Sequence, residues 1–180
     1  FVNTLREIHI PQCIDAVSTQ EKSYLLTTWV EGDCAADVWD DLTPLDKQRI
    51  AEDLRHQFGS MRLQTRCPNH RIICNASGGP IDDPRVPWVA QENLRTFSSC
   101  QQFAEEVPFI ERNDVPIIFS HGDLLPKNII FPESLSRWRL GHGTICIIDW
   151  EYTGWMPEYW DPLKATWLEC EPDTEWSQIA

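Results

Sequence analysis

Residues 117–149 constrain this chain more than any other stretch, because they hold three apolar runs that are too short to be helices. Two of them, 117–119 and 129–131, flank a segment carrying His121, Asp123 and Asn128, and the third, 144–148, ends at Asp149. Runs of this length read as strands that hold the loop between them. Asp123 and Asn128 stand five positions apart on that loop, and Asp149 stands where a strand ends. The three can therefore converge, although no helix would bring them together. Carboxylate and amide oxygens converging on one point suit a hard cation such as Mg2+, which takes oxygen ligands and keeps waters and phosphate oxygens in its shell.

The order H-x-D-x-x-x-x-N, followed by an aspartate after a hydrophobic strand, resembles the active site of the kinase-like phosphotransferases. The wider text, HGDLLPKNIIF and then IIDWEYTGWMPEYWD, is similar to the aminoglycoside phosphotransferase and choline kinase-like family, and within it to fungal-type members. The resemblance implies an α+β fold, the mainly helical large (C-terminal) lobe of a protein-kinase-like fold with short β-hairpins around the catalytic loop. It also implies ATP and Mg2+ as cofactors and transfer of the γ-phosphoryl group to a small-molecule hydroxyl. Asp123 would orient that hydroxyl and take its proton, which leaves late in a loose transition state, so that position counts for more than basicity. Asn128 and Asp149 would bind the metal, with Trp150 packed beneath Asp149. In this family's pattern His121 is structural, bonding backbone near the metal aspartate, rather than a general base. Residues 24–30, YLLTTWV, would be the last strand of the small lobe running into the hinge, where the Thr28 carbonyl and the Val30 N–H hold adenine. Thr27 and Thr28 replace the Met-Glu-like pair usual there.

On this reading residues 1–180 are a single partial kinase-like domain, 1–32 being the end of the small lobe and the hinge, and 33–180 the C-terminal lobe. The chain does not begin with Met, and its eight glycines cannot form the G-x-G-x-x-G loop that covers the phosphates of a kinase. That loop and the ATP-anchoring lysine belong upstream of the hinge. Two functions are expected: a phosphotransferase, inactive as these 180 residues alone, or a non-catalytic truncated paralogue acting as a binding module or remnant.

A formal net charge of -13 argues against nucleic acid as a partner and favours a cationic small-molecule acceptor, although acidity also serves solubility. Seven cysteines without paired spacing read as free thiols in a reducing, cytoplasmic setting. Cys67, His70 and Cys74 have a faint zinc-like spacing but no fourth ligand nearby. No apolar run approaches the ~20 residues that cross a bilayer, so no membrane partner is expected.

Elsewhere, apolar spacing over residues 1–11, stopped by Pro11, predicts a short helix, and residues 33–42 predict another. Thr43-Pro44-Leu45-Asp46 supplies a cap, a proline for the first turn and an acid, opening a helix whose stripe is Ile50, Leu54, Phe58 and Met61. Residues 64–87 read as a surface loop with a possible strand at 72–74, and 88–106 as helical with Leu94, Phe97 and Phe103 buried. A last helix is expected over 157–170. Glu151, Glu158 and Asp161 could line an acceptor site or simply form a solvated face.

Overall fold

The computed structural model describes residues 7–20, 22–65, 73–83, 96–107, 115–167, 176 and 179. The chain separates into two compact units, the first built from residues up to Met61 together with Leu125–Ile148, the second from Arg62–Leu124 and Asp149–Gln178. Among the described residues, eight short strands in three antiparallel sheets stand beside one long helix and three short ones. The expectation of a mainly helical lobe does not hold for them.

The first unit begins with a hairpin of β1 (Cys13–Ser18) and β2 (Ser23–Thr27), in which Val17 faces Tyr24 and Ala16 faces Leu25. The strand expected at 24–30 is thus shorter and paired with a strand not anticipated. Its apolar residues stay exposed: Tyr24, Leu25 and Leu26 on β2, Ile14 and Val17 on β1, and Trp29 just beyond. Of the short helix expected over 1–11, residues 1–6 lie outside the described residues, and 8–11 are not helical. The His9 N–H donates to the Gln57 side chain and the His9 carbonyl accepts from Ile147, so its backbone groups go to tertiary partners rather than to a helix.

Beyond the hairpin, β3 (Gly32–Cys34) pairs with β6 (Ile129–Pro132), and β6 pairs in turn with β7 (Cys146–Ile147). The short helix expected over 33–42 shrinks to a 3-10 turn at Trp39–Asp41, because Gly32, Asp33 and Cys34 are taken up by the β6 edge. Helix α1 (Pro44–Gln64) starts where its signals place it. The Thr43 hydroxyl accepts from the Asp46 N–H, and the Asp46 carboxylate accepts from the Thr43 N–H and hydroxyl, closing a reciprocal cap. Ile50, Leu54, Phe58 and Met61 are all buried, as the stripe requires. Gln57 is buried among them, its amide donating to the Ile145 carbonyl and fastening β7 to the helix.

Helix α3 (Leu135–Arg139), capped by Ser134, follows β6. Its Trp138 packs on Phe131 with ring centroids 4.9 Å apart, donates to Asp53 on α1 and lies under the Arg49 guanidinium. Arg139 at its end clamps Asp46, with bonds as short as 2.7 Å. That clamp holds the Asp46 carboxyl down at about 2, chiefly through the Arg139 hydrogen bonds. Burial pushes the Cys146 thiol on β7 up to about 11, so it is protonated and inert at neutral pH.

In the second unit β8 (Gly154–Pro157) is the central strand, flanked by β4 (Cys74–Asn75) and β5 (Ile117–Ser120). Gly154 is required there: a Cβ would lie 2.6 Å from the Cys74 carbonyl oxygen. Phe97 is buried as expected but not helical; it exchanges backbone hydrogen bonds with Ile73, and the helix proper, α2 (Cys100–Glu106), starts at the Ser99 cap. Phe103 stacks edge-on between Phe97 and Trp160. Around them Ile73, Ile81, Cys100, Ala104, Val107 and Met156 complete one apolar core. Helix α4 (Trp160–Trp167) starts three residues later than the expected helix, because Pro157 belongs to β8. Leu94, Cys67 and His70 lie outside the described residues.

Candidate active site

Strand β5 delivers His121, Gly122 and Asp123 into the interior of the second unit, where all three are buried. The loop turns sharply at Gly122, whose φ is +82° and whose missing Cβ would sit 2.2 Å from the Tyr152 carbonyl oxygen, so glycine alone fits. A loop this deep must find partners for its backbone N–H groups. One carboxylate supplies two of them: Asp161, in the first turn of α4, accepts from the His121 N–H at 3.1 Å and from the Gly122 N–H at 2.8 Å. The Asp123 N–H goes to Nδ1 of His121, also at 3.1 Å. Nδ1 is therefore an acceptor, and the neutral ring carries its proton on Nε2. This is a backbone-bonding histidine, as the resemblance implies, although the backbone it holds is that of Asp123.

The same imidazole meets Trp150 edge to face at 4.5 Å between centroids. His121 thereby links the two acidic positions assigned to this unit: it bonds the backbone of Asp123 and packs against the residue after Asp149. Thr153 closes the turn that follows, its hydroxyl donating to the Trp150 carbonyl at 2.7 Å. Asp149 itself is exposed and left-handed, with φ 64°. A non-glycine residue in that region costs of order 1 kcal/mol or more and persists where its surroundings demand it. On the far side of Asp123, the indole N–H of Trp176 donates to the Leu124 carbonyl at 3.1 Å.

Asn128 belongs to the first unit. It closes a 3-10 turn, Pro126–Asn128, and is buried, its carbonyl accepting from the N–H of Ile148, the residue before Asp149 in the chain. The thiol of Cys34 donates to the Lys127 carbonyl in the same turn. Just after β2, Thr28 gives its N–H to the Gln12 carbonyl and accepts the Gln12 N–H on its hydroxyl. Among the described residues, the Thr28 carbonyl and the Val30 N–H have no intramolecular partner. Also among the described residues, no group of three or more His, Cys, Asp or Glu side chains is arranged to hold a metal ion.

Asp161 is not a solvated acid; it is the buried carboxylate on which the loop hangs. The motif text runs up to this residue, but nothing local marks its role. A lysine in the apolar stripe of the same helix, Lys164, was the available sign that α4 carries buried charge. No curated protein matches the chain. The family model described as APH, phosphotransferase enzyme family, matches residues 3–178. A strand-delivered H-G-D loop, a later aspartate in a left-handed turn and a match over nearly the whole length lead to one conclusion: this chain belongs to the phosphotransferase enzyme family, whose members have a kinase-like fold.

Proposed function

We propose that this protein transfers the γ-phosphoryl group of ATP to the hydroxyl of a small molecule, with Asp123 as the residue that orients the acceptor and takes its proton. The way Asp123 is held carries this reading. It is only 2% exposed, its N–H is bound by His121, and the two preceding N–H groups are bound by Asp161. Phosphoryl transfer asks for positioning above all, and a carboxylate on a backbone fixed at three successive amides meets that need. Asn128 and Asp149 are the residues that would hold Mg2+. An amide oxygen and one carboxylate suit an ion that fills its shell with water and phosphate oxygens. When bound, Mg2+ would neutralise charge on the phosphates. The Thr28 carbonyl and the Val30 N–H, free of intramolecular partners among the described residues, would take adenine.

A net charge of -13 favours a cationic acceptor, and neither nucleic acid nor a bilayer has a role in this reading. No helix among the described residues is long and apolar enough to cross a membrane. The free thiols of Cys13, Cys34, Cys74, Cys100 and Cys146 suit a reducing compartment, the cytoplasm.

The test combines binding with turnover. At a hundred times its dissociation constant Mn2+ should raise stability by about 2.7 kcal/mol. Asp149→Asn should remove that gain while leaving the metal-free protein no less stable. ATP consumption should depend on an amino-sugar or choline-like acceptor and fall roughly 10²- to 10⁴-fold in Asp123→Asn. A Mn2+ shift that survives in Asp149→Asn refutes the metal assignment. Absence of both metal binding and turnover would instead point to a non-catalytic binding module.

A further inference from the structure

Lys164 stands one helical turn beyond Asp161 on α4 and is 1% exposed. Its ammonium meets the carboxylate of Asp83, whose side chain is 3% exposed. It also lies 5.4 Å from the centroid of the Tyr152 ring and 5.2 Å from that of Trp160. Burying such a pair gains little net stability, because desolvating two charges offsets most of their attraction; apolar residues of similar volume often serve as well or better. What the pair does supply is direction, since an ammonium must find its carboxylate.

Here that direction bears on the H-G-D loop. Asp161 and Lys164 lie on one side of α4, and the first holds the N–H groups of His121 and Gly122. The second lies against Tyr152, the residue whose carbonyl walls in Gly122. Helix α4 therefore reaches the loop by two routes, one direct and one by way of Tyr152. Asp83, from the segment after β4, fixes the turn of the helix on which both depend.

We propose that Lys164 and Asp83 are positioning residues for Asp123: their buried pair sets the register of α4 and the place of Tyr152, and so the backbone that presents the Asp123 carboxylate. The kinetic half of this proposal rests on the phosphotransfer reading above; the structural half does not. The experiment uses the full chain with the apolar double replacement Lys164→Met/Asp83→Leu, read by thermal melting, by hydrogen exchange at the amides of His121 and Gly122, and by steady-state kinetics. The double variant should melt no lower than wild type. Its two loop amides should exchange about tenfold faster, and kcat should fall about tenfold with KM for ATP unchanged. Wild-type exchange and wild-type kcat in a folded double variant would overturn the proposal and leave the pair a packing feature. Should the double variant not fold, Asp83→Asn keeps the shape and removes the counter-charge; faster loop exchange supports the proposal and unchanged exchange overturns it. If wild type transfers no phosphate to any acceptor, the functional reading fails, while the exchange data still decide whether the pair positions the loop.

Discussion

Replacing Asp161 with asparagine keeps the shape of the side chain but exchanges one oxygen acceptor for a donor and removes the charge, which makes it the sharpest probe of how the H-G-D loop is held. In the folded protein each carboxylate oxygen accepts one buried backbone N–H, from Gly122 at 2.8 Å and from His121 at 3.1 Å. Asparagine can satisfy one of these and must turn an NH2 towards the other, setting donor against donor. A hydrogen bond to a charged group contributes about 1.5–3 kcal/mol, and a buried N–H left without a partner costs about 1–3 kcal/mol. Local relaxation recovers part of this, so the expected loss is roughly 2–4 kcal/mol. At this chain length each kcal/mol moves the melting temperature by about 2–4 °C, giving a drop on the order of 5–15 °C. Urea denaturation followed by tryptophan fluorescence and calorimetric melting would measure it. Hydrogen exchange should place the loosening at His121, Gly122 and Asp123. A variant within about 0.5 kcal/mol of wild type would show that the two N–H groups find water as readily as carboxylate, and the reasoning about a suspended loop would be wrong.

Other substitutions test the same physics elsewhere. Gly122→Ala should cost more than about 3 kcal/mol, since it combines a positive φ with a Cβ 2.2 Å from the Tyr152 oxygen. Gly141→Ala, at φ +85° with nothing within 4 Å of its Cβ, should cost only about 1–2 kcal/mol in the same urea titration. The Asp46 carboxyl is held at about 2, below its usual 3.8, so its stabilisation is complete above about pH 5 and disappears as the pH falls through 3.8 towards 2. Because the Arg139 side chain is 38% exposed, we expect about 1 kcal/mol from this clamp, seen as a flatter stability profile between pH 5 and 2 in Arg139→Gln. Trp176→Phe removes the N–H bonded to the Leu124 carbonyl and, at a side chain only 2% exposed, the volume of the five-membered ring, and should lower stability by about 1–3 kcal/mol in calorimetry.

Helix α1 was legible because its signals are local. Thr43, Pro44 and Asp46 act within one turn, and a stripe stepping by three and four needs only one apolar neighbour to become a core face. Strands β5, β6 and β7 were legible as apolar runs, but their partners were not. The long apolar run at 144–148 yields only a two-residue strand, while Gly-Trp-Met-Pro, with a glycine and a proline at its ends, becomes the centre of a sheet. That identity comes from neighbours: Gly154 lets the Cys74 carbonyl approach, and β5 pairs along all four residues. Phe97 and His9 show the same effect in reverse, since each sits in a stretch of helical spacing and gives its backbone to a partner distant in sequence, Ile73 in one case and Ile147 in the other. Local spacing decides conformation only where no stronger tertiary hydrogen bond competes for the backbone.

The site divides along the same line. Asp123, Asn128 and Asp149 are candidates because phosphoryl transfer would need such oxygens, and their spacing is written within one stretch. Part of what holds Asp123 in place, the His121 ring, is in that stretch; the carboxylate and the indole that hold the loop around it are not. Asp161 lies 40 positions from His121, and Trp176 lies 52 positions from Leu124. The loop meets one of its buried N–H groups itself, at Nδ1 of His121, but those of His121 and Gly122 are met from elsewhere in the fold, by a residue selected by geometry rather than by any local pattern. It follows that the motif can be intact while the site is not. Any change that shifts α4 by a fraction of an ångström displaces the acceptor of two loop amides at once, with every residue of H-G-D still present.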